Sequence, residues 1–236
     1  MEIKMGGILK STWEMLHDGR FLKKALMIAC PVALQGMLNT IVNMVDTLMI
    51  GGLGSTAIAA VGLANKVFFV FSLLVFGIVS GGGILAAQFW GSGDVKNIRK
   101  VLGLCVMLAM VGAMFFVVPA LTAPRMVMRI FTTSEGSIEL GAKYLRIAAL
   151  SYPFIALTNV YVAMLRATNK VVFPVICSCI AIVVNICLNY VLIFGKFGAP
   201  TMGVAGAACA TLTARCIEVT LVLFYVYGKK LPLAFG

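Results

Sequence analysis

The sequence predicts an all-α membrane protein built as a bundle of six transmembrane helices. Hydrophobic residues make up 61% of the chain and charged residues 11%, well below the roughly 25% charge of a soluble domain. Mean hydropathy is +1.05. The apolar residues gather into six runs, at about 25–50, 57–88, 101–122, 144–165, 171–195 and 203–227. Each run reaches the roughly 20 residues that cross about 30 Å of hydrocarbon as a helix. The two-residue alternation of a membrane β-strand is absent, so the backbone must satisfy its hydrogen bonds within each span.

Residues 1–24 read as a cytoplasmic N-terminal segment. Met5, Ile8, Leu9, Trp13 and Leu16 recur at helical spacing opposite Lys4, Lys10 and Glu14. That is the pattern of an interfacial amphipathic helix, with a solvated tail as the alternative. No cleavable signal pattern precedes the first span, so that span reads as its own targeting signal. Residues 25–228 form the six-helix lobe, and residues 229–236 read as the start of a cytoplasmic linker.

Most connections are short, so neighbouring spans run antiparallel. Gly51–Ser55 is nearly free of charge, and Gly91–Lys96 is a polar turn with Trp90 as an interface anchor beside it. The longest link, about 123–141, contains Pro124 and is expected to hold a short surface helix. Gly77, Gly81–Gly83 and the run Gly203–Ala208 read as faces where helix backbones approach closely. Pro31, Pro119, Pro153 and Pro174 fall near span ends.

The net charge of +11 raises the possibility of a nucleic-acid partner, and its placement argues against it. Lys4, Lys10, Arg20, Lys23 and Lys24 precede span one. Lys96, Arg99 and Lys100 follow span two, Arg166 and Lys170 follow span four, and Lys229 and Lys230 follow span six. These segments alternate along the chain and share one side of the bilayer, so the positive-inside rule puts both termini in the cytoplasm. The basic excess is topology.

The seven cysteines all fall within apolar spans and read as buried small hydrophobes. His17 is the sole histidine, which removes Ser-His-Asp and His-rich metal sets, and no Walker-type loop is present. No enzyme chemistry and no cofactor are expected. Transport by such a chain is ion-coupled or passive.

Asp46 is the only carboxylate between Leu26 and Ile50. An acid inside a span costs at least about 2.5–3.5 kcal/mol on insertion scales, so it faces a polar cavity or a partner. Gln35, Asn39, Asn43 and Asp46 stand at offsets of four, four and three, on one helical face. An ion or substrate pathway is the favoured reading, and a polar stripe that only joins helices is the alternative. Asn185 and Asn189 share a face of span five. Asn159 lies in span four, and Tyr144 near its outer end. Amides and phenols can coordinate cations or hydrogen-bond a carboxylate. Arg215 and Glu218, three apart in span six, form an intrahelical pair. Lys66, in span two, either snorkels outward or pairs with Asp46.

Seven strings, in order and at compatible spacing, give the chain a family resemblance. They are Pro31–Gln35, Val45–Gly51, Ala59–Asn65, Ala87–Gly91, Tyr144–Ile147, Asn189–Gly195 and Gly203–Ala208. From about residue 12 to its end the chain resembles the N-terminal half of multidrug and toxic compound extrusion (MATE) transporters. The resemblance implies one lobe of a two-lobed, V-shaped transporter in the cell membrane. It implies export of cationic or amphipathic compounds in exchange for sodium ions or protons. Asp46 matches the family's first-helix acid, Tyr144 and Asn159 match helix-four members, and Asn185 matches a helix-five member. Asn189 stands where some members carry Asp, leaving one acid in the cluster. The polar position of helix six falls on alanine, near Ala207. If the coupling ion is sodium, the resemblance implies a site for it at Asp46, Asn185 and Asn189. The chain holds half the family's spans, so its partner is either a second lobe or a second copy of itself. A lipid-linked oligosaccharide flippase of the same superfamily is the alternative within transport, disfavoured because basic residues inside spans are few, chiefly Lys66 and Arg215. A non-transporting membrane scaffold or remnant is the alternative outside it.

The topology is checked by fusing compartment-sensitive reporters after Gly236. A cytoplasmic reporter is expected to be active there, and activity of a periplasmic reporter contradicts the assigned orientation.

Overall fold

A computed structural model describes residues 19–198, 200–231 and 233–234. The expected interfacial helix within residues 1–18 lies outside these. The described elements are helices: α1 (Gly19–Gly51), α2 (Ser55–Gly91), α3 (Val95–Thr122), α4 (Pro124–Arg129), α5 (Glu135–Ala148), a 3-10 turn (Ala149–Ser151), α6 (Tyr152–Ala167), α7 (Val172–Phe194) and α8 (Val204–Gly228). Five helical stretches among the described residues are long and apolar enough to cross a membrane: α2, α3, α5 through α6, α7 and α8. The sixth long helix is α1, whose 33 residues extend roughly 50 Å at about 1.5 Å each.

The fourth span differs most from the expected bounds. Its helix begins at Glu135, inside the stretch read as a link, and α4 is the short helix expected there. Pro153 explains the break between α5 and α6. Proline has no N–H and its ring crowds the carbonyl four residues back, which here belongs to Ala149. The chain tightens into a 3-10 turn over Ala149–Ser151. The Ser151 hydroxyl donates to the Ala148 carbonyl at 2.6 Å, satisfying an acceptor that the break leaves over. Pro31 lies well inside α1 because that helix starts at Gly19, upstream of the expected boundary.

The broken span α5–α6 sits in the middle of the lobe. It packs on α2, α3 and α8; α7 lies against α8, and α1 leans on α7 while touching α2 only lightly. The main core runs along this centre. The Tyr152 ring stacks on Phe71 at 4.6 Å between centroids, and Phe116 meets Phe71 edge-on. The Tyr161 and Tyr227 hydroxyls, 3.0 Å apart, join α6 to α8. Asp94 caps α3 by accepting from the Asn97 backbone N–H at 3.1 Å, an ordinary N-cap. Leu233 is buried in this core, so the stretch read as a linker folds back onto the lobe there. Of the cysteines, Cys105 and Cys177 are buried, but Cys30 and Cys187 are exposed. A thiol is apolar enough to face lipid, which periodicity in a uniformly apolar helix does not reveal.

The α7–α8 contact depends on a missing side chain. A Cβ added to Gly206 meets the Leu192 carbonyl oxygen at 2.7 Å and its carbon at 2.8 Å. Backbone cannot swing aside as a side chain can. Gly206→Ala is expected to cost about 1–3 kcal/mol, the range for overpacking, seen as a lower melting temperature in detergent. Gly83→Ala is the control: open space surrounds its Cβ position, and it is expected to melt no lower than the unmodified chain.

Candidate functional site

Between α1 and the rest of the lobe lie two neighbouring cavities. The first, about 380 Å³, is lined by Asn43 and Asp46 of α1, Asn65 and Ser72 of α2, Tyr144 and Tyr152 of the broken span, and Thr211 and Arg215 of α8. Asp46 is half-buried there. Its Oδ1 accepts from Asn189 Nδ2 at 2.5 Å. The same Nδ2 donates to Asn185 Oδ1 at 3.2 Å, and Asn185 Nδ2 donates to Thr211 Oγ1 at 3.5 Å. Thr211 in turn donates to the Ala207 carbonyl at 3.0 Å. One chain of polar contacts thus joins α1, α7 and α8. Asn189 is fully buried, and its Oδ1 has no hydrogen-bond partner among the described residues. A buried acceptor without a donor costs about 1–3 kcal/mol, and this one belongs to the residue that donates to the Asp46 carboxylate.

The second cavity, about 620 Å³, lies alongside and shares Ser72, Ile155 and Arg215 with the first. A second polar chain crosses it. Arg166 Nη2 donates to Gln35 Oε1 at 2.6 Å, and Gln35 Nε2 donates to Ser178 Oγ at 2.6 Å. Ser178 donates to Glu218 Oε1 at 2.7 Å, and Arg215 Nη1 donates to Glu218 Oε2 at 2.7 Å. Glu218 is buried, and two charge-assisted bonds meet its carboxylate.

The MatE family profile matches residues 31–191, more than half the chain. The chain is 31% identical over 210 residues to the probable multidrug resistance protein NorM of Thermotoga maritima, covering 88% of this chain and 45% of that protein. It is 31% identical over 214 residues to the probable multidrug resistance protein YoeA of Bacillus subtilis, covering 87% and 44%. The fold matches that of an outward-facing multidrug resistance MATE family transporter of the MOP superfamily. The TM-score there is 0.80 at 23% identity, over 88% of this chain and 45% of that one.

The chain belongs to the MATE family. It is a multi-pass membrane protein that spans about half the length of the curated relatives it matches. The polar residues singled out in the sequence of this MATE lobe fall into two groups. Asn43, Asp46 and Tyr144 line the first cavity, with Asn189 hydrogen-bonded to Asp46 and Asn185 joined to it through Asn189. Gln35 and Asn159 line the second cavity, together with Arg215 and Glu218. The α1 stripe is therefore divided, one end serving each cavity. Asn39 lies within α1, but its side chain is outside the described residues. Lys66 is exposed and lines neither cavity. Pairing between Lys66 and Asp46 is not formed: Asp46 takes the neutral Asn189 amide instead.

Two residues of this MATE lobe add to the sequence reading. The residue of α8 that meets the cluster is Thr211, one turn beyond Ala207. Its i, i+4 spacing from Arg215 is the signal that could have found it. Arg166, read as a charge between spans four and five, occupies the last turn of α6, half-buried and turned onto Gln35.

Proposed function

We propose that this chain is one lobe of a secondary active transporter that exports cationic or amphipathic compounds from the cell, and that the Asp46 cluster binds the coupling cation. The observation that carries the reading is the buried, donorless Asn189 Oδ1 beside the Asp46 carboxylate. Hard cations select oxygen ligands, and the cluster supplies a carboxylate, two amide oxygens and the Thr211 hydroxyl. Sodium would take these oxygens; a proton would take the Asp46 carboxylate. Either ion drives export only by binding the inward-facing and outward-facing states unequally. The names of the relatives support multidrug efflux as the activity. The half-length match supports a second lobe, or a second copy of this chain, across the substrate path. The plasma membrane with both termini inside fits the basic-residue placement.

Asp46→Asn keeps size and most hydrogen bonding but removes the charge. It is expected to lower gradient-driven efflux of a fluorescent dye at least tenfold, on the order of 1.4 kcal/mol, at normal expression and membrane insertion. Asn189→Asp in that background is expected to restore part of the efflux by returning an acid to the same pair. Melting in sodium against choline chloride separates the ions. Sodium coupling predicts a melting temperature that rises with sodium in the unmodified chain and not in Asp46→Asn. Proton coupling predicts no sodium shift and efflux that follows an imposed pH gradient. Undiminished efflux by Asp46→Asn sinks the assignment.

A further inference from the structure

The cavity of about 620 Å³ has a charge balance that a cation site does not need. Its described lining carries two guanidinium groups, Arg166 and Arg215, and one carboxylate, Glu218. Arg215 and Glu218 neutralise each other at 2.7 Å. Arg166 makes no ion pair among the described residues, and the one described hydrogen bond of its guanidinium is to the neutral Gln35 oxygen. An arginine has five N–H donors in a fork suited to carboxylate and phosphate. A half-buried guanidinium without a counter-charge is costly. An arginine near a span end ordinarily snorkels to water; this one turns inward onto α1.

A second, independent feature sits in the same lining. Thr158 is 5% exposed, and its hydroxyl has no hydrogen-bond partner among the described residues. Buried hydroxyls are rarely left so. Thr158 precedes Arg166 on α6 by about two helical turns, and both residues face the cavity. The α2 wall is mostly apolar, with Leu73, Val75, Phe76 and Val79 beside Ser72 and Ser80. The volume falls in the range of roughly 300–1,000 Å³ typical of small-molecule sites.

We propose that this cavity binds an amphipathic anion, with a carboxylate or phosphate head on Arg166, a polar atom at Thr158, and an apolar body along α2. The head can belong to a soluble organic anion or to an anionic lipid, and both present the same chemistry to the guanidinium. The cavity adjoins that of the Asp46 cluster and shares Arg215 with it, but Arg166 and Thr158 line only this one.

The test uses the full chain in phosphatidylcholine nanodiscs with tritiated p-aminohippurate as probe. Saturable binding is expected, displaced by unlabelled hippurate and not by tetraphenylphosphonium. Arg166→Gln removes the charge and is expected to weaken binding about tenfold or more, the scale of a lost charge-assisted contact. Arg166→Lys keeps the charge but not the fork and is expected to bind more tightly than Arg166→Gln and more weakly than the unmodified chain. Thr158→Val, isosteric and lacking the hydroxyl, is expected to weaken binding about threefold or more, in line with one neutral hydrogen bond. Thermal melts establish that each variant folds; if Arg166→Gln does not, Thr158→Val decides. Repeating the assay with one-third phosphatidylglycerol identifies the source: lost hippurate binding marks a lipid head group as occupant, and retained binding marks a soluble anion. Both of those outcomes support an anion site. Absence of saturable binding by the unmodified chain overturns it, as does equal affinity in all variants. The sodium-dependent melt reads the Asp46 cluster separately, so failure of one site is distinguishable from failure of the other.

Discussion

Helix α1 is held to the lobe chiefly through α7, and two polar contacts join them. Gln35 donates to Ser178, and Asn189 donates to Asp46. Both pairs are separated by the same 143 residues. That equality fixes the geometry: α1 and α7 run parallel in constant register, tied at points about three turns apart. In hydrocarbon, apolar packing alone gives little preference for one register over another, because lipid tails are as apolar as the helix surface. Hydrogen bonds do discriminate, since a slip by one residue rotates each partner by about 100° and strands it. The same two contacts that hold α1 also deliver its polar face to the two cavities. Holding the helix and lining a cavity are therefore not separable at Gln35 and Asp46.

The break in the fourth span is the second constraint. An uninterrupted helix from Glu135 to Ala167 would present a single continuous set of faces to α2 and α8. The 3-10 turn ahead of Pro153 changes the angular progression, since 3-10 geometry advances about 120° per residue where the α-helix advances about 100°. Tyr144 lies before the turn, and Ser151 and Tyr152 at its end, yet all three line the Asp46 cavity. Asn159 and Arg166, further along, line the neighbouring cavity. Arg215 stands between the two, lining both while paired with Glu218. Each cavity thus contains one carboxylate. Asp46 is met by a neutral amide, whereas Glu218 is met by a guanidinium and a hydroxyl. Similar groups in adjacent spaces consequently have different chemistry open to them: Asp46 can gain a cation or a proton, while Glu218 already holds its counter-charge.

What could be read from the sequence follows from which costs are local. The spans were legible because crossing hydrocarbon demands a long apolar run whatever the neighbours are. Asp46 was legible because an acid in such a run is expensive wherever it points. The Asn185–Asn189 face was legible because spacing along one helix fixes it. The division of the α1 stripe between two cavities was not, since periodicity gives the face of a helix and not what that face meets. The start of the fourth span was missed because Glu135, Glu139, Lys143 and Arg146 interrupt its apolar residues, so α5 reads as a link until α2 and α8 are seen packed on it.

Thr211 and Arg166 were hidden for opposite reasons. A threonine in a helix can satisfy itself on the carbonyl four residues back, and Thr211 does so on Ala207. Nothing about it looks unpaid in sequence; only the proximity of Asn185 reveals its second contact. Arg166 stands just before Thr168-Asn169-Lys170, a run with the composition of a turn, and a charge there needs no partner to be explained. Its importance appears only when Gln35, 131 residues earlier, is found beneath it. Polar groups that are costly in isolation announce themselves in a sequence. Those that are cheap where they stand acquire meaning from the helix opposite, and in this lobe the helix opposite is α1.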